Sequence, residues 1–467
     1  MRHIITFEIN NENFQLRFGS GESATPLGII KYGPYGASTY SPTPNNYEAI
    51  LILYKDDDKI KNHVERFKKD LEQGFEGRYS AIFPGFKTIF KLKIDFSLAS
   101  FKRYNEVEIY DTFLSNCKDA NKCFPVIILH RRNKGEYNSI YYRVKAMFLK
   151  NQTPTQIFTI DLLRDEKNYK GSLLPTAVQI YAKMGGIPYV LAKPRYYSTL
   201  KDYSVYIMGL GISQHPLYKN RGVGFVTVFD DRGIWQFMNA KNLIMSKDED
   251  ISERLAKLLD ETIDELLKRS KSKNNVLIIH YSGKEISHRE EEVIRRAIRE
   301  KAKKLNKFAA VYVLKIRRHS DMVVWENQEN EAKVYPSVGA VFQLKRDVYL
   351  LVTSGCFDEK KSKCNIRRGL SRPIIISRHR DIEPESTNKE RLGLTDRDLL
   401  ATVFGMCRLN YNSIQNPVSR EPITTRYSRE IAWLLLRAYD LIAHERGIDV
   451  DKVELNLDRI GNVMWFI

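Results

Sequence analysis

Between Glu48 and Lys183 the chain alternates short, almost wholly apolar runs with amphipathic stretches, and that alternation leaves few folds open. Ala49–Tyr54 and Pro125–His130 read as strands covered on both faces, because polar residues hardly interrupt them. Between them, residues 59–75 place Ile60, Val64, Phe67 and Leu71 on one side of a helix. Helices are also expected over Glu106–Asn116, Tyr141–Lys150 and Pro175–Lys183, with strands at Phe90–Ile94 and Gln156–Asp161. Apolar strands separated by crossover helices point to a parallel, doubly wound, Rossmann-like sheet.

The flanks read differently. Ile4–Ile9 and Phe14–Phe18 are expected to pair as a hairpin across Asn10–Asn13. Thr25–Gly36, rich in Gly and Pro, reads as an extended, turning linker. After Pro194 strands are expected at Val205–Ile212, Val223–Phe229 and Ile234–Phe237, the last two joined by the turn Asp230–Gly233. An amphipathic helix follows over Ser252–Lys268, then a strand at Val276–His280. Ser287 and Glu290 have the spacing of a capping box for a helix ending near Asn306, and Ala309–Ile316 is the next strand. The order β-β-β-α-β-α-β is that of a ribonuclease H-like domain. A β-rich insertion is expected over Gly339–Ile376, then helices at Asp396–Cys407 and Arg429–Arg446, with Gly447 as a natural stop and a docked apolar C-terminus. The division expected is a β-rich segment over 1–40, a Rossmann-like domain over 41–193 and a ribonuclease H-like domain over 194–467.

Lys and Arg number 75 against 57 Asp and Glu, a formal net charge of +18. An excess of that size points to a polyanionic partner, nucleic acid first. A thermophile surface raises Lys and Glu together, so thermophily alone does not produce the imbalance. No apolar run reaches the about 18 residues of a membrane span, and the early acid in the N-terminal stretch argues against a signal peptide, so a cytoplasmic protein is expected. Cys117 and Cys123, like Cys356 and Cys364, lack zinc-site spacing, and buried or free thiols are the default unless the source is a hyperthermophile.

The first strand of the second domain, Tyr203–Ile212, is where a nuclease of this fold carries a metal-binding carboxylate. It holds Gly209-Leu210-Gly211 instead, and the glycines leave room in place of metal. A Rossmann-like domain followed by a ribonuclease H-like one, with an apolar C-terminus, resembles the MID and PIWI domains of a short prokaryotic Argonaute without a PAZ domain. Local segments agree: Gly28–Tyr35, Gln179–Gly186, Gly369–Pro373 and Pro422–Arg429 are similar to family motifs in the family's order.

That resemblance implies a guide strand held by its 5′ phosphate at Tyr141, Lys145, Gln156 and Lys183, with Mg²⁺ bridged by Gln156 and the C-terminal carboxylate of Ile467. The chemistry is sensible by itself. Tyr141 and Lys145 lie one helical turn apart, two ammonium groups suit a dianion, and a Tyr ring can stack on a base. Tyr142 competes for the stacking role. The plain alternatives are that Tyr141 and Lys145 are exposed helix residues and Lys183 a dipole-favoured helix-end cation. Lys315, Arg317 and Arg318 resemble the family's guide-backbone contact, and Arg367, Arg368, Arg372, Arg378 and Arg380 form a second basic cluster.

Three of the four metal-ligand positions carry no carboxylate, being Gly211, Ser282 and Arg429, and a guanidinium cannot ligate a metal. Only the run Asp248–Asp250 offers acids for the remaining one, while Asp230 and Asp231 read as turn residues. The resemblance therefore implies a catalytically inactive protein that pairs guide RNA, or DNA, to complementary target DNA or RNA. It further implies an APAZ-type partner with an effector (an NADase, nuclease or membrane protein) in abortive, antiviral or anti-plasmid defence, recruiting the protein to a membrane where the effector resides there. An active guided endonuclease and a non-guided nucleic-acid scaffold are the rival readings.

Overall fold

The computed structural model describes residues 7–9, 14–36, 46–75, 83–130, 139–192, 200, 203–214, 221–244, 248–270, 272, 274–282, 288–318, 322, 324, 337–353, 373–383, 392, 394–412, 414, 419–457 and 459–467. The chain opens with three two-residue strands, β1 (Phe7–Glu8), β2 (Leu16–Arg17) and β3 (Glu22–Ser23), and a short helix α1 (Gly28–Tyr32). The first domain then runs β4 (Ala49–Lys55), α2 (Asp58–Gln73), α3 (Phe86–Phe90), β5 (Asp95–Phe101), α4 (Glu106–Asn116), β6 (Cys123–Leu129), α5 (Ile140–Lys150), β7 (Gln156–Thr159), α6 (Ile160–Arg164) and α7 (Glu166–Lys183). Its four strands are all parallel in the order β5-β4-β6-β7, so the crossover argument from sequence holds.

Local chemistry sets the helix ends. Asp57 accepts from the Lys59 N–H to cap α2, whose Ile60, Val64, Phe67 and Leu71 are all buried, and Gly74 at φ 84° ends it. Asn105 caps α4 by accepting from the N–H groups of Val107 and Glu108. After β8 (Val190–Leu191) the second domain runs β9 (Ser204–Gln214), β10 (Arg221–Asp230), β11 (Trp235–Ile244), α8 (Asp248–Arg269), β12 (Asn275–Ser282), α9 (His288–Glu300), α10 (Ala302–Leu305) and β13 (Ala310–Arg317). It finishes with β14 (Ala340–Lys345), β15 (Val348–Leu351), β16 (Ile374–Arg378), α11 (Asp396–Cys407), α12 (Ile423–Arg426) and α13 (Ser428–Arg446). Its nine-stranded sheet contains β11-β10-β9-β12-β13 as neighbours, with β9, β12 and β13 parallel and β10 antiparallel to both its partners. That is the mixed sheet of a ribonuclease H-like domain. Helices α8 and α9 cover one face with Leu255, Leu259, Ile294 and Ile298, and α13 covers the other with Ile431, Leu435 and Tyr439.

Several expectations fail where tertiary pairing overrides local signals. Phe7–Glu8 and Leu16–Arg17 do not form a hairpin with each other. The first pairs with Ala340–Val341 at the edge of the nine-stranded sheet, and the second joins β3 and β8. The expected linker contains α1, whose Ile29 is fully buried. The strand expected at Phe90–Ile94 lies instead at Asp95–Phe101, and Phe86–Phe90 is helix, because Phe86, Ile89 and Phe90 need one common buried face. Pro175 lies inside α7 rather than at its start; the helix tolerates it with Leu173, Leu174, Ala177 and Val178 buried around it. Cys117 and Cys123 form a disulfide instead of remaining free thiols, whereas Cys356 and Cys364 lie outside the described residues.

The turn Asp230–Gly233 is as expected. One carboxylate oxygen of Asp230 accepts from the N–H groups of Arg232 at 3.0 Å and Ile234 at 2.8 Å. Burial raises this carboxyl to about 7 despite those bonds. From about pH 4 to 7 the folded chain therefore keeps a proton that the unfolded chain has released, and stability falls as pH rises across that window. Asp230→Asn keeps the accepting oxygen and removes the charge. Urea unfolding should show it more stable than the parent at pH 8, by about 1 kcal/mol or more, with the gain shrinking toward pH 4.

Candidate nucleic-acid interface

Helix α5 is unusual in burying a lysine among Val144, Ala146 and Phe148. Lys145 is 5% exposed and Lys183, in the last turn of α7, is 1% exposed. Both ammonium groups donate to one oxygen, the Thr155 carbonyl, at 2.5 Å and 3.0 Å. Lys183 also donates to Gln156 Oε1 at 2.6 Å, and Gln156 Nε2 donates to Gln179 Oε1 at 3.1 Å. Burial excludes an exposed Lys145, while Lys183 does lie in the last turn of α7, where the helix dipole favours a cation. Two ammonium groups so placed can both donate to the oxygens of one anion.

Tyr141 is half-buried, edge-on to Tyr142 at a ring separation of 5.1 Å. Tyr142 is 4% exposed and packs on Trp433 of α13, so Tyr141 is the more accessible of the two rings. Ile467 is buried at the end of the tail, its N–H donating to Met464 O, with Phe466 packed between Tyr427 and Trp235. The proposed Mg²⁺ ligand Gln156 does not fit a metal as it stands, because its oxygen is held by the Lys183 ammonium and a cation there meets like charge. Gln179 and Thr155 were given no role from sequence. The first had a signal, one helical turn before Lys183 on α7; the second contributes a backbone carbonyl and had none.

The centre expected to lack its acids lies on the face of β9 toward α12. Gly211 pairs with Phe225 of β10, and a Cβ at 211 would stand 2.3 Å from the Phe225 ring. A Cβ at 209 would stand 2.2 Å from the Thr424 carbonyl oxygen and 2.5 Å from Thr227 Oγ1. The glycines therefore do not leave room; protein fills the space above them. His280, beside Gly209 in the sheet, is fully buried, with Nδ1 3.0 Å from Thr424 Oγ1. Burial pushes it down to about 3, so the imidazole is neutral at ordinary pH, and its Nε2 has no hydrogen-bond partner among the described residues. Ser282 ends β12 opposite Ile316, and Arg429 lies in the first turn of α13; the side chains of both, and of Asp248–Asp250, lie outside the described residues. Among the described residues no three His, Cys, Asp or Glu side chains gather as a metal site.

The basic track is divided. Lys315 and Arg317 share the β13 face of Val311 and Val313, toward α8 and α9, whereas Ile316 faces the α13 side. Arg318 forms an ion pair with Glu421 at 3.3 Å. Arg378 and Arg380 do not form a free cationic cluster. Arg378 holds Glu383 and Asp396 at 2.9 and 2.6 Å, and Arg380 holds Asp347 and Asp396 at 2.7 and 3.0 Å. Buried acids select partners before an outside phosphate can. Arg367, Arg368 and Arg372 lie outside the described residues.

A Piwi domain family profile matches residues 124–439, more than half of the chain. No curated protein matches. Among solved structures, Clostridium butyricum Argonaute bound to a guide DNA and a 19-mer target DNA superposes with a TM-score of 0.67 at 15% identity, covering 99% of this chain and 54% of that one. Drosophila Piwi gives 0.64 at 13%, covering 97% and 55%. Aquifex aeolicus Argonaute gives 0.54 at 21%, covering 84% and 49%. The chain thus spans about half the length of these proteins. Among the described residues no helix is long and apolar enough to cross a membrane.

Packing at Gly211 is open to a direct test. Gly211→Ala should cost about 1–3 kcal/mol by overpacking against Phe225. In a Phe225→Leu background the same change should cost measurably less, and denaturant unfolding of the four proteins reads the coupling.

Proposed function

We propose, on the premise that this chain belongs to the Piwi-domain family, that it anchors the 5′ phosphate of a short nucleic-acid guide and pairs that guide with a complementary strand without cutting it. The observation that carries this reading is the convergence of the Lys145 and Lys183 ammonium groups on the Thr155 carbonyl. Each ammonium carries three donors, and a phosphate has three terminal oxygens to receive them. Tyr141 stacks on the first base. The Ile467 carboxylate closes the site from the tail. Lys315 and Arg317 run along the backbone of the guide, which fixes its register and reads no sequence. The net charge of +18 supports a polyanionic ligand, and the solved Clostridium butyricum protein holds a guide and a target DNA. The ammonium pair supplies the positive charge that the phosphate needs.

The non-cutting half of the proposal is supported by Gly211, where a nuclease would hold an acid, and by the Phe225 ring and Thr424 carbonyl closing over Gly211 and Gly209. Two-metal hydrolysis requires carboxylates on both sides of the scissile phosphate. An output through an APAZ-type partner and its effector, in defence against invading nucleic acid, completes the proposal and rests on the resemblance alone.

Lys145→Ala with Lys183→Ala should weaken binding of a 5′-phosphorylated guide by about tenfold or more, as expected for losing charge-assisted hydrogen bonds. Binding of the 5′-hydroxyl guide should change far less; equal loss for both contradicts the anchor. Incubation with guide, matched target and Mn²⁺ should leave the target intact, and guide-dependent cleavage abolished by chelator would refute inactivity.

A further inference from the structure

One residue of the C-terminal tail joins the second domain to the first. Arg459 donates from its guanidinium to the Asn121 carbonyl at 2.9 Å and to the Asn121 side-chain oxygen. It also hydrogen-bonds the buried Tyr47 hydroxyl, and its own backbone N–H donates to Gln152 Oε1 at 3.1 Å. Tyr47, Asn121 and Gln152 precede β4, β6 and β7, which are neighbours in the parallel sheet. Arg459 therefore spans the strand-entry edge of that sheet. Thr155, which receives both ammonium groups, enters β7 on the same edge.

Gln152 is the informative member. It sits at φ 52°, a left-handed conformation that suits glycine and strains other residues, in the turn between Lys145 on α5 and Gln156 on β7. Its backbone N–H is satisfied by Leu149 O at 2.9 Å, which glycine would manage equally well. What glycine lacks is the side-chain oxygen that receives Arg459. Asn121 is presented by the short loop that the Cys117–Cys123 disulfide closes. Beyond Arg459 the tail is fixed to the second domain. Trp235 Nε1 donates to Gly461 O at 3.1 Å, Arg269 donates to Asn462 Oδ1 at 2.9 Å, and Val463–Ile467 are buried.

We propose that Arg459 and Gln152 are a positioning pair that holds the α5–β7 turn, and with it the Thr155 carbonyl on which the two lysines meet, an inference that rests on the function proposed above. Arg459 is exposed, so its bonds add little to global stability; what they fix is the geometry of that turn.

The test uses the full chain and single-stranded oligonucleotides of one sequence, in DNA and RNA, bearing a 5′-monophosphate or a 5′-hydroxyl. The readouts are the ratio of the two affinities and the melting temperature. Gln152→Gly should keep or raise the melting temperature, since it relieves left-handed strain, while the phosphate preference falls severalfold. Arg459→Ala should lower the preference in the same way, and Arg459→Lys should restore part of it. An unchanged preference in both Gln152→Gly and Arg459→Ala, or an equal loss for both oligonucleotides, overturns the positioning role. The Lys145→Ala, Lys183→Ala protein is the control. If its preference collapses, the anchor stands and the variants judge the positioning pair alone; if it does not, the anchor itself is wrong.

Discussion

Two buried ammonium groups meeting at one carbonyl oxygen set the constraint on which the rest of this structure turns. Lys145 arrives from α5, Lys183 from α7, and Thr155 from the entry to β7, so three elements must be in register before the groups can meet. Burying one cation is costly and burying two together costs more. The hydrophobic core of the Rossmann-like sheet stabilises the elements that force them together. The Tyr142–Trp433 contact and the Lys150–Glu445 ion pair then tie α5 to α13 of the ribonuclease H-like domain. A phosphate at the lysines would accept hydrogen bonds from elements of the sheet that these contacts tie to the second domain.

Gly209 and Gly211 on β9 leave no open cavity in the second domain. Instead the Phe225 ring and the Thr424 carbonyl lie where Cβ atoms at 211 and 209 would be, and His280 is held neutral beneath α12. Close packing of this kind resists any larger residue there, because an added side chain meets atoms rather than solvent. The strand Ser204–Gln214 serves as the spine of the sheet, paired on one side with β10 and on the other with β12.

Much of this was legible in the sequence, and the remainder was illegible for identifiable reasons. Helices such as Glu106–Asn116 and Asp396–Cys407 announce themselves by caps and apolar periodicity, which are local. The partners of Phe7–Glu8 and Leu16–Arg17 are set by residues far along the chain, so a local turn signal misassigned them. Lysines of the right spacing can be read as letters; the carbonyl they share cannot. Gly211 reads as a missing acid, but that Phe225 fills its place depends on the β9–β10 register. Arg378 and Arg380 look like a phosphate-binding cluster until the fold brings Asp347, Glu383 and Asp396 to them.

The central claim is that this chain holds a nucleic-acid strand by its 5′ phosphate. Sequencing the nucleic acid that copurifies with it, with chemical mapping of the 5′ ends, tests that claim most directly. The account predicts a discrete population of short strands carrying 5′-monophosphates. A heterogeneous mixture of lengths and ends, or no bound nucleic acid at all, would contradict it.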